Sequence, residues 1–261
     1  MRKTMRAHGG THQYWEDRWG RIPADDGELN LERYPGKYAK TAIQKGGEPV
    51  LEAGCGAGRV LIYYHRKGLN ITGMDYVQGA VDKIKSLEPD INVTAEDIRN
   101  LPYEHGQFGV VLAFGLYHSL EDGIDLAFSE TRRVMRPGGI LCASMRADNL
   151  QNRIVDWLAS RNTLKDAEVS FHKLNLRRSE FKKMLDDAGF DLEEMHYVEN
   201  MPFLYKFRIF RHRNHDKFDE HAARGEGYRL SALGSALQKC LFGLFPGSFC
   251  NINVAVARVR S

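Results

Sequence analysis

The chain has few cysteines and no long apolar run, and both absences exclude classes of protein. Its four cysteines, Cys55, Cys142, Cys240 and Cys250, form no Cys-x-x-Cys pair and no zinc spacing. They therefore indicate no disulfide framework, which favours a reducing compartment. No apolar stretch is long enough to span a bilayer, and the basic N-terminal segment lacks the apolar centre of a secretory signal. We therefore expect a cytoplasmic protein.

The chain also has little excess charge of either sign. The formal net charge is +3, and no recognisable DNA- or RNA-binding module is present, so nucleic acid is disfavoured as a partner. With 261 residues, of which 43% are hydrophobic, the chain can bury a full core in one domain. The sequence does not indicate an oligomeric state.

Short apolar runs alternate with helical stretches from position 50 onwards. This alternation predicts an α/β fold: a seven-stranded, doubly wound, mostly parallel sheet of the Rossmann-like kind. Ligands bind such sheets at the carboxyl ends of the strands. The predicted strands are Val50–Ala53, Asn70–Val77, Ile91–Asp97, Phe108–Gly115, GGILCASM, FDLEEMHYV and NINVAVARVR, the last as an edge strand.

The predicted organisation has four parts. Residues 1–45 form an N-terminal helical lid, residues 46–198 the cofactor-binding core, residues 199–250 a cap for substrate recognition, and residues 251–261 the final core strand. The cap is longer than a hairpin connection requires, which is why we assign it a separate role.

The stretch VLEAGCGAGR is a glycine-rich loop between a predicted strand and a predicted helix. Its glycines, Gly54, Gly56 and Gly58, have the spacing GxGxG, and Arg59 stands where the dinucleotide fingerprint has its third glycine. Glu52 precedes the loop, and its carboxylate suits a cation better than a pyrophosphate. The loop therefore predicts a ligand that lacks phosphates and carries positive charge.

Two further carboxylates end the next predicted strands. Asp75 is positioned to accept hydrogen bonds from both hydroxyls of a ribose, and Asp97 to meet an adenine amino group. A nucleoside with a cationic tail fits all three acids, and S-adenosylmethionine is such a molecule.

Five segments together resemble the class I S-adenosylmethionine-dependent methyltransferases, particularly the small-molecule group that includes the ubiquinone and menaquinone C-methyltransferases. They occur in order and at family-like spacing over most of residues 48–197: VLEAGCGAGR, ITGMDYV, AEDIRNLPYEHGQFGVVLAFGLYHSLED, RRVMRPGGILCASM and MLDDAGF. The resemblance implies methyl transfer by in-line displacement to an O, N or C nucleophile of a small molecule.

The resemblance also implies a cofactor site. The loop from Ala53 to Gly58 would lie against the methionine part with Glu52 nearby, and Asp75 would bind the ribose. Tyr76, Asp97 and Ile98 would contact the adenine, and Phe114 and Gly115 would close the site. Arg59 departs from the Thr or Ser common in the family and is assigned no role.

Catalytic and lid residues are less clearly indicated. His118 in LYHSLED is a candidate general base because a histidine pKa lies near neutrality, and Tyr117 is a second candidate. The alternative is that both side chains only shape the loop. In the N-terminal segment, Tyr14 and Trp15 are candidate lid residues over the sulfonium, since aromatic faces attract cations; the alternative is core packing.

The acceptor is the least defined part of the prediction. The segment FLYKFRIFRHRNHDKFDEH alternates apolar and basic residues as an extended stretch would, and LSALGSALQKCLFGLFPGSF has an apolar helical face. Together they favour an anionic, lipid-like or glycan-precursor acceptor, or peripheral contact with a membrane surface. The alternative is a solvated basic edge with a core-packing helix. His212, His215 and His221 lack a metal-binding pattern, so no metal is predicted. Two other functions stay open: a nicotinamide-dependent oxidoreductase and a non-catalytic partner that binds S-adenosylmethionine.

Overall fold

A seven-stranded sheet and a small two-stranded sheet make up the strands of the computed structural model, which describes residues 1–6, 11–24, 29–161, 169–213 and 228–260. The strands are β1 (Arg2–Arg6), β2 (Val50–Ala53), β3 (Ile71–Asp75), β4 (Val93–Ala95), β5 (Phe108–Ala113), β6 (Met135–Arg146), β7 (Ser170–Asn175), β8 (Phe190–Val198) and β9 (Ile252–Val259).

The large sheet has the strand order β4-β3-β2-β5-β6-β9-β8. Strands β2 to β6 pair in parallel, and β9 pairs antiparallel with both β6 and β8. The predicted seven-stranded, mostly parallel, Rossmann-like sheet is therefore confirmed. The expectation that the last strand lies at an edge is wrong, because β9 is inserted between two neighbours and is buried along nearly its whole length. The edge strand on that side is β8.

Helices connect these strands and cover both faces of the sheet. They are α1 (Thr11–Arg21), α2 (Gly36–Gly46), α3 (Arg59–His65), α4 (Gln78–Leu87), α5 (Ile124–Val134), α6 (Leu150–Arg161), α7 (Arg178–Asp187), α8 (Ala232–Leu244) and α9 (Pro246–Phe249). Short 3₁₀ turns span Tyr117–Ser119, Phe203–Lys206 and Arg208–Phe210.

The alternation of side chains along the central strands builds a separate core on each face. In β2, Leu51 joins the core that includes Phe128 of α5, whereas Val50 joins the core that includes Leu61 of α3 and Ile84 of α4. Successive strand residues point to opposite faces, so buried strands must be apolar on both. Packing on both faces therefore holds the central strands in place, and the loops of the site begin at the ends of these strands.

The two-stranded sheet was not predicted. Strand β1 pairs antiparallel with β7, and Arg2 lies opposite Asn175. Residues 1–45 therefore contain a strand as well as helices. Strand β7 also brings residues after α6 next to the 3₁₀ turn Tyr117–Ser119, which matters for the site below.

The segment after β8 differs from its predicted extended form. Tyr205 N donates to Pro202 O (3.1 Å) and Phe207 N to Leu204 O (3.0 Å), so the chain follows tight turns. The basic residues do not alternate along a strand there, and the extended interpretation is wrong. Within the described ranges, no helix is both long and apolar enough to cross a membrane.

Candidate functional site

The glycine loop leaves β2 through three left-handed residues. Gly54, Gly56 and Gly58 have φ values of 72°, 55° and 82°, a region that side chains with a Cβ rarely adopt. The N–H groups of Gly54 and Cys55 both donate to Met74 O of β3, at 2.8 and 3.0 Å. The loop is thus tied to the neighbouring strand, and α3 begins directly after it.

Asp75 ends β3 and holds the other side of this loop. Its carboxylate accepts hydrogen bonds from the N–H groups of Gly56 (2.8 Å) and Val77 (3.0 Å). The side chain is buried, and burial raises its pKa while these backbone donors oppose the shift. A carboxylate has about four acceptor positions, so these backbone donors leave room for a ligand hydroxyl.

Glu52 lies on β2 and is only 5% exposed. Burial raises the pKa of its carboxyl to about 8; the nearby Asp75 adds to the rise, and the Leu61 backbone and Arg59 oppose it. Among the described residues its Oε2 has no hydrogen-bond partner. A buried carboxylate in this position favours a cationic neighbour, because such a charge would offset the cost of its ionisation.

The predicted adenine contacts lie further along the same strand ends. Asp97 follows β4 and accepts hydrogen bonds from the guanidinium of Arg99, which lowers its pKa. Ile98 is buried beside it. Tyr76 is 54% exposed, and its ring meets the ring of His12 of α1 edge-on, with centroids 4.9 Å apart.

Phe114 and Gly115 follow β5 and meet the end of β6. Gly115 N donates to Ser144 Oγ (2.8 Å), and the Tyr34 hydroxyl lies 3.2 Å from the same oxygen. Tyr34 also packs edge-on against Phe114, with ring centroids 5.5 Å apart. These contacts fix the loop that leads into the next turn.

His118 lies in that turn, beside β7. It is 6% exposed, and its Nε2 lies 3.4 Å from Lys173 Nζ. Burial lowers its pKa well below the usual value, and the charges of Lys173, Arg146 and His172 add to the shift, opposed by the Ser144 backbone. Its Nδ1 makes no hydrogen bond of ordinary length in the described ranges. The ring is therefore neutral at pH 7 and lies in a cationic environment.

Tyr117 lies in the core. Its side chain is fully buried, its hydroxyl is 2.7 Å from Thr131 Oγ1, and its ring stacks on Phe128 with centroids 4.2 Å apart. This position gives Tyr117 a packing role, so His118 is the candidate that we carry forward.

Helix α1 covers the strand ends with its aromatic side chains. A Cβ on Gly56 would lie 2.5 Å from a ring atom of Trp19, so this ring contacts the glycine loop directly. Trp15 stacks on Trp19 (5.8 Å), and Tyr14 meets the His172 ring edge-on (5.6 Å). The helix thus extends from the glycine loop to β7.

A lysine side chain of α4 binds the C-terminal end of α1. Lys83 Nζ donates to the carbonyl oxygens of Trp19 (2.7 Å), Gly20 (2.7 Å) and Ile22 (3.1 Å). A cation at the carbonyl end of a helix is favourable because these groups lack intrahelical donors.

Residues 51–143 match the model of a family described as a methyltransferase domain. The matched range contains the glycine loop, Asp75, Asp97 and the turn with His118. Residues 51–143 therefore form a methyltransferase domain, and the relatives of this chain include proteins named as S-adenosylmethionine-dependent methyltransferases.

Relatives of the methyltransferase domain carry several kinds of name. A Mycolicibacterium smegmatis protein named as an S-adenosylmethionine-dependent methyltransferase is 29% identical over 157 residues, which are 60% of this chain and 57% of that protein. A Talaromyces variabilis protein named as an S-adenosyl-L-methionine-dependent Diels-Alderase is 24% identical over 225 residues, 77% of this chain and 73% of its own. The first match thus spans little more than half of the relative's length.

A solved structure supports the fold. The geranyl diphosphate C-methyltransferase of Streptomyces coelicolor, determined with S-adenosylhomocysteine, is 12% identical and superposes with a TM-score of 0.59 over 96% of this chain and 98% of its own.

The site residues fit S-adenosylmethionine, the cofactor of this family. The buried Glu52 carboxyl suits a cationic ligand, and the Asp75 carboxylate at the end of β3 suits ribose hydroxyls. The ring of Trp19 lies on the same loop, so this helix and the cofactor share one surface.

The sequence analysis did not identify several residues that lie around the site. His172 and Lys173 lie on β7, which no motif indicates. Arg59, which was assigned no role, acts on the charge of Glu52, so its side chain lies near the site. Of the three histidines considered for a metal, His215 and His221 lie outside the described residues. The described ranges contain no group of three His, Cys, Asp or Glu side chains that could hold a metal ion.

Proposed function

We propose that this chain transfers a methyl group from S-adenosylmethionine to an oxygen, nitrogen or carbon nucleophile of a small molecule. The observation that carries the proposal is the pairing of the Glu52 and Asp75 carboxylates around the glycine loop of a methyltransferase domain. The cysteine usage supports action in the cytoplasm. The family assignment favours this cofactor over the nicotinamide alternative.

The chain's own contribution is binding, alignment and exclusion of water. When bound, the cofactor supplies a methyl group on a positively charged sulfur. Glu52 and Asp75 would hold the charged and ribose parts, and the loop from Ala53 to Gly58 would support the methionine part. Tyr76, Asp97, Ile98, Phe114 and Gly115 would line the remainder. Tyr14 and Trp15 of α1 cover the acceptor side and keep water out.

The surroundings of His118 favour an anionic acceptor. Burial lowers the pKa of His118, and the positive charges of Lys173, Arg146 and His172 lower it further. An anionic group on the acceptor lowers the electrostatic cost of this cluster. An acceptor that arrives already ionised needs no base. For a hydroxyl or amine acceptor, His118 in its neutral form would accept the proton of the nucleophile, and the cofactor would supply the methyl group.

A second candidate function is a cofactor-dependent cyclisation without methyl transfer. The relative that aligns over 77% of this chain is named as a Diels-Alderase, and the lowered pKa of His118 makes it a weak base. The two functions differ in their products, because methyl transfer forms S-adenosylhomocysteine and cyclisation does not.

The first experiment is calorimetric titration of the purified protein with S-adenosylmethionine, S-adenosylhomocysteine and NADH. We expect binding of the two sulfur compounds and none of NADH. Asp75→Ala should abolish this binding, whereas His118→Ala should leave it intact. Binding of NADH alone would refute the proposal.

The second experiment detects S-adenosylhomocysteine in reactions with paired acceptors, each an anion and its neutral analogue. We expect product with the anionic member, a lower rate in His118→Ala, and a raised acceptor KM in Lys173→Met. Lys183→Met, on an exposed ion pair with Asp187, is the matched control. Equal rates for both members of every pair would remove the preference for an anionic acceptor.

A further inference from the structure

Helix α8 presents one polar side chain, that of Gln238, inward and several apolar side chains outward. Gln238 is 3% exposed; its Oε1 accepts from Leu204 N (2.9 Å), and its Nε2 donates to Glu199. Gly234 faces the same way, since a Cβ there would lie 2.6 Å from Phe210 O. The inward face thus packs on the two 3₁₀ turns that precede the helix.

The outward face of α8 carries an apolar stripe. Leu233, Leu237, Cys240 and Leu244 are exposed and follow one another at spacings of four, three and four residues, which places them on one side of a helix. Leu233 is 65% exposed and Leu244 67%. Such a stripe normally faces a core, so its exposure needs a partner.

Two more apolar side chains extend this surface. Phe245 at the C-terminal end of α8 is 58% exposed, and Ile209 in the adjacent 3₁₀ turn is 81% exposed. We call these two residues together with Leu233, Leu237 and Leu244 the α8 surface.

The chain segments that form the α8 surface and adjoin it in sequence carry mostly positive charges. In the described residues from 199 to 213 and from 228 to 250, Glu199 is the single acid, and it is bonded to Gln238. The same ranges contain six cations: Lys206, Arg208, Arg211, Arg213, Arg229 and Lys239. Residues 214–227, which lie outside the described part, contain four acids and two cations.

We propose that the α8 surface docks on a lipid bilayer with anionic headgroups, with α8 lying in the plane of the interface. An amphipathic helix binds in this way when its apolar side enters the acyl boundary and nearby cations meet the headgroups. The apolar stripe would enter the acyl boundary, and the described basic residues would meet the headgroups. This docking does not depend on methyl transfer.

The test is sedimentation of the full-length protein with vesicles, of phosphatidylcholine alone or of equimolar phosphatidylcholine and phosphatidylglycerol. We expect binding to the anionic vesicles and weak binding to the neutral ones. The double variant Leu233→Glu/Leu237→Glu should lower the affinity for anionic vesicles at least about tenfold, because two apolar contacts are replaced by charges that the headgroups repel.

The matched control is Leu87→Glu/Leu126→Glu, on α4 and α5. Their exposures, 39% and 61%, are close to those of Leu237 (41%) and Leu233 (65%). This control adds the same two charges away from α8 and should retain vesicle binding. Circular dichroism and thermal melting of both variants verify that they fold.

Three results would overturn the proposal. The first is absence of the wild-type protein from the vesicle pellet, and the second is an equal loss of binding by both double variants. The third is a stable dimer, by analytical ultracentrifugation, that Leu233→Glu/Leu237→Glu dissociates while vesicles bind neither form. That result would identify a second copy of the chain as the occupant of the α8 surface.

Discussion

Replacing Glu52 by glutamine tests whether the buried carboxyl is held for a cationic ligand. In the ligand-free protein its pKa is raised to about 8, from 4.5 in an exposed carboxyl. Below about pH 4.5 both the folded and unfolded chains bind the proton, so the full stability is present. As pH rises from there to about 8, Glu52 ionises in the unfolded chain but stays protonated in the folded chain. This contribution to the free energy of unfolding is therefore lost.

The size of the effect follows from the shift. Each pH unit in this range costs about 1.4 kcal/mol of the free energy of unfolding, so the wild-type protein at pH 7 has lost roughly 3 kcal/mol. Glu52→Gln cannot ionise and avoids this loss. Its stability relative to the wild type should therefore rise with pH, whatever the constant offset from the new amide.

Urea unfolding of the ligand-free proteins between about pH 5 and about pH 8 measures this difference. Ionisable groups that do not interact with Glu52 act equally in both proteins and cancel. A stability difference that stays flat with pH would refute the buried, protonated Glu52.

The same carboxyl should release a proton when the cofactor binds. A nearby sulfonium or ammonium charge lowers its pKa, so binding at pH 7 transfers a proton to the buffer. Titration calorimetry in two buffers of different ionisation enthalpy measures that proton, and Glu52→Gln should show less release. Equal proton release by both proteins would show that the charge of the bound cofactor does not change the protonation of Glu52.

Three further substitutions have definite expected outcomes. Gly56→Ala should destabilise the protein by more than about 1 kcal/mol and weaken cofactor binding, because its φ is 55° and a Cβ would lie 2.5 Å from Trp19. Asp156→Asn should cost roughly 2 kcal/mol in urea unfolding, because it weakens the partly buried ion pairs with Arg146 (2.7 Å) and Arg2 (2.9 Å). Trp19→Ala should raise the affinity for S-adenosylhomocysteine in calorimetry, since the ring no longer competes for the loop.

Each substitution has a matched control. Gly79→Ala, where a new Cβ meets nothing within 4 Å, should leave cofactor binding unchanged. Asp187→Asn removes an exposed ion pair and should cost less than about 0.5 kcal/mol. Trp157→Ala removes a tryptophan that is 53% exposed, on α6, and should not alter the affinity. A substitution that behaves like its control would contradict the corresponding argument.

The sequence predicts the central strands and their loops well because local burial determines them. Val50–Ala53 is apolar or buried at every position and ends at the glycine loop in the structure as predicted. β9 was misplaced at an edge because its alternating residues suit a half-exposed strand. Its position between β6 and β8 depends on pairing with β6, more than a hundred residues earlier.

The missed part of the site has the same cause. His172 and Lys173 lie in β7, a short strand that pairs with β1 near the start of the chain. A histidine followed by a lysine carries no motif, and only the fold brings Lys173 to His118. The orientation of Trp19 is likewise a tertiary property. The helix was expected, with Tyr14 and Trp15 as lid residues, but the ring on the glycine loop belongs to the next turn.

The attachment of α1 through Lys83 gives the two sides of the site different freedom. The lysine holds the end of the helix next to Trp19, and Tyr14 lies five residues away, about 7 Å along the axis. A rotation about the held end displaces Tyr14, over His172, further than Trp19, over Gly56. The acceptor side therefore opens at a smaller angle than the cofactor side. If α1 opens in this way, a methylated product would leave before S-adenosylhomocysteine.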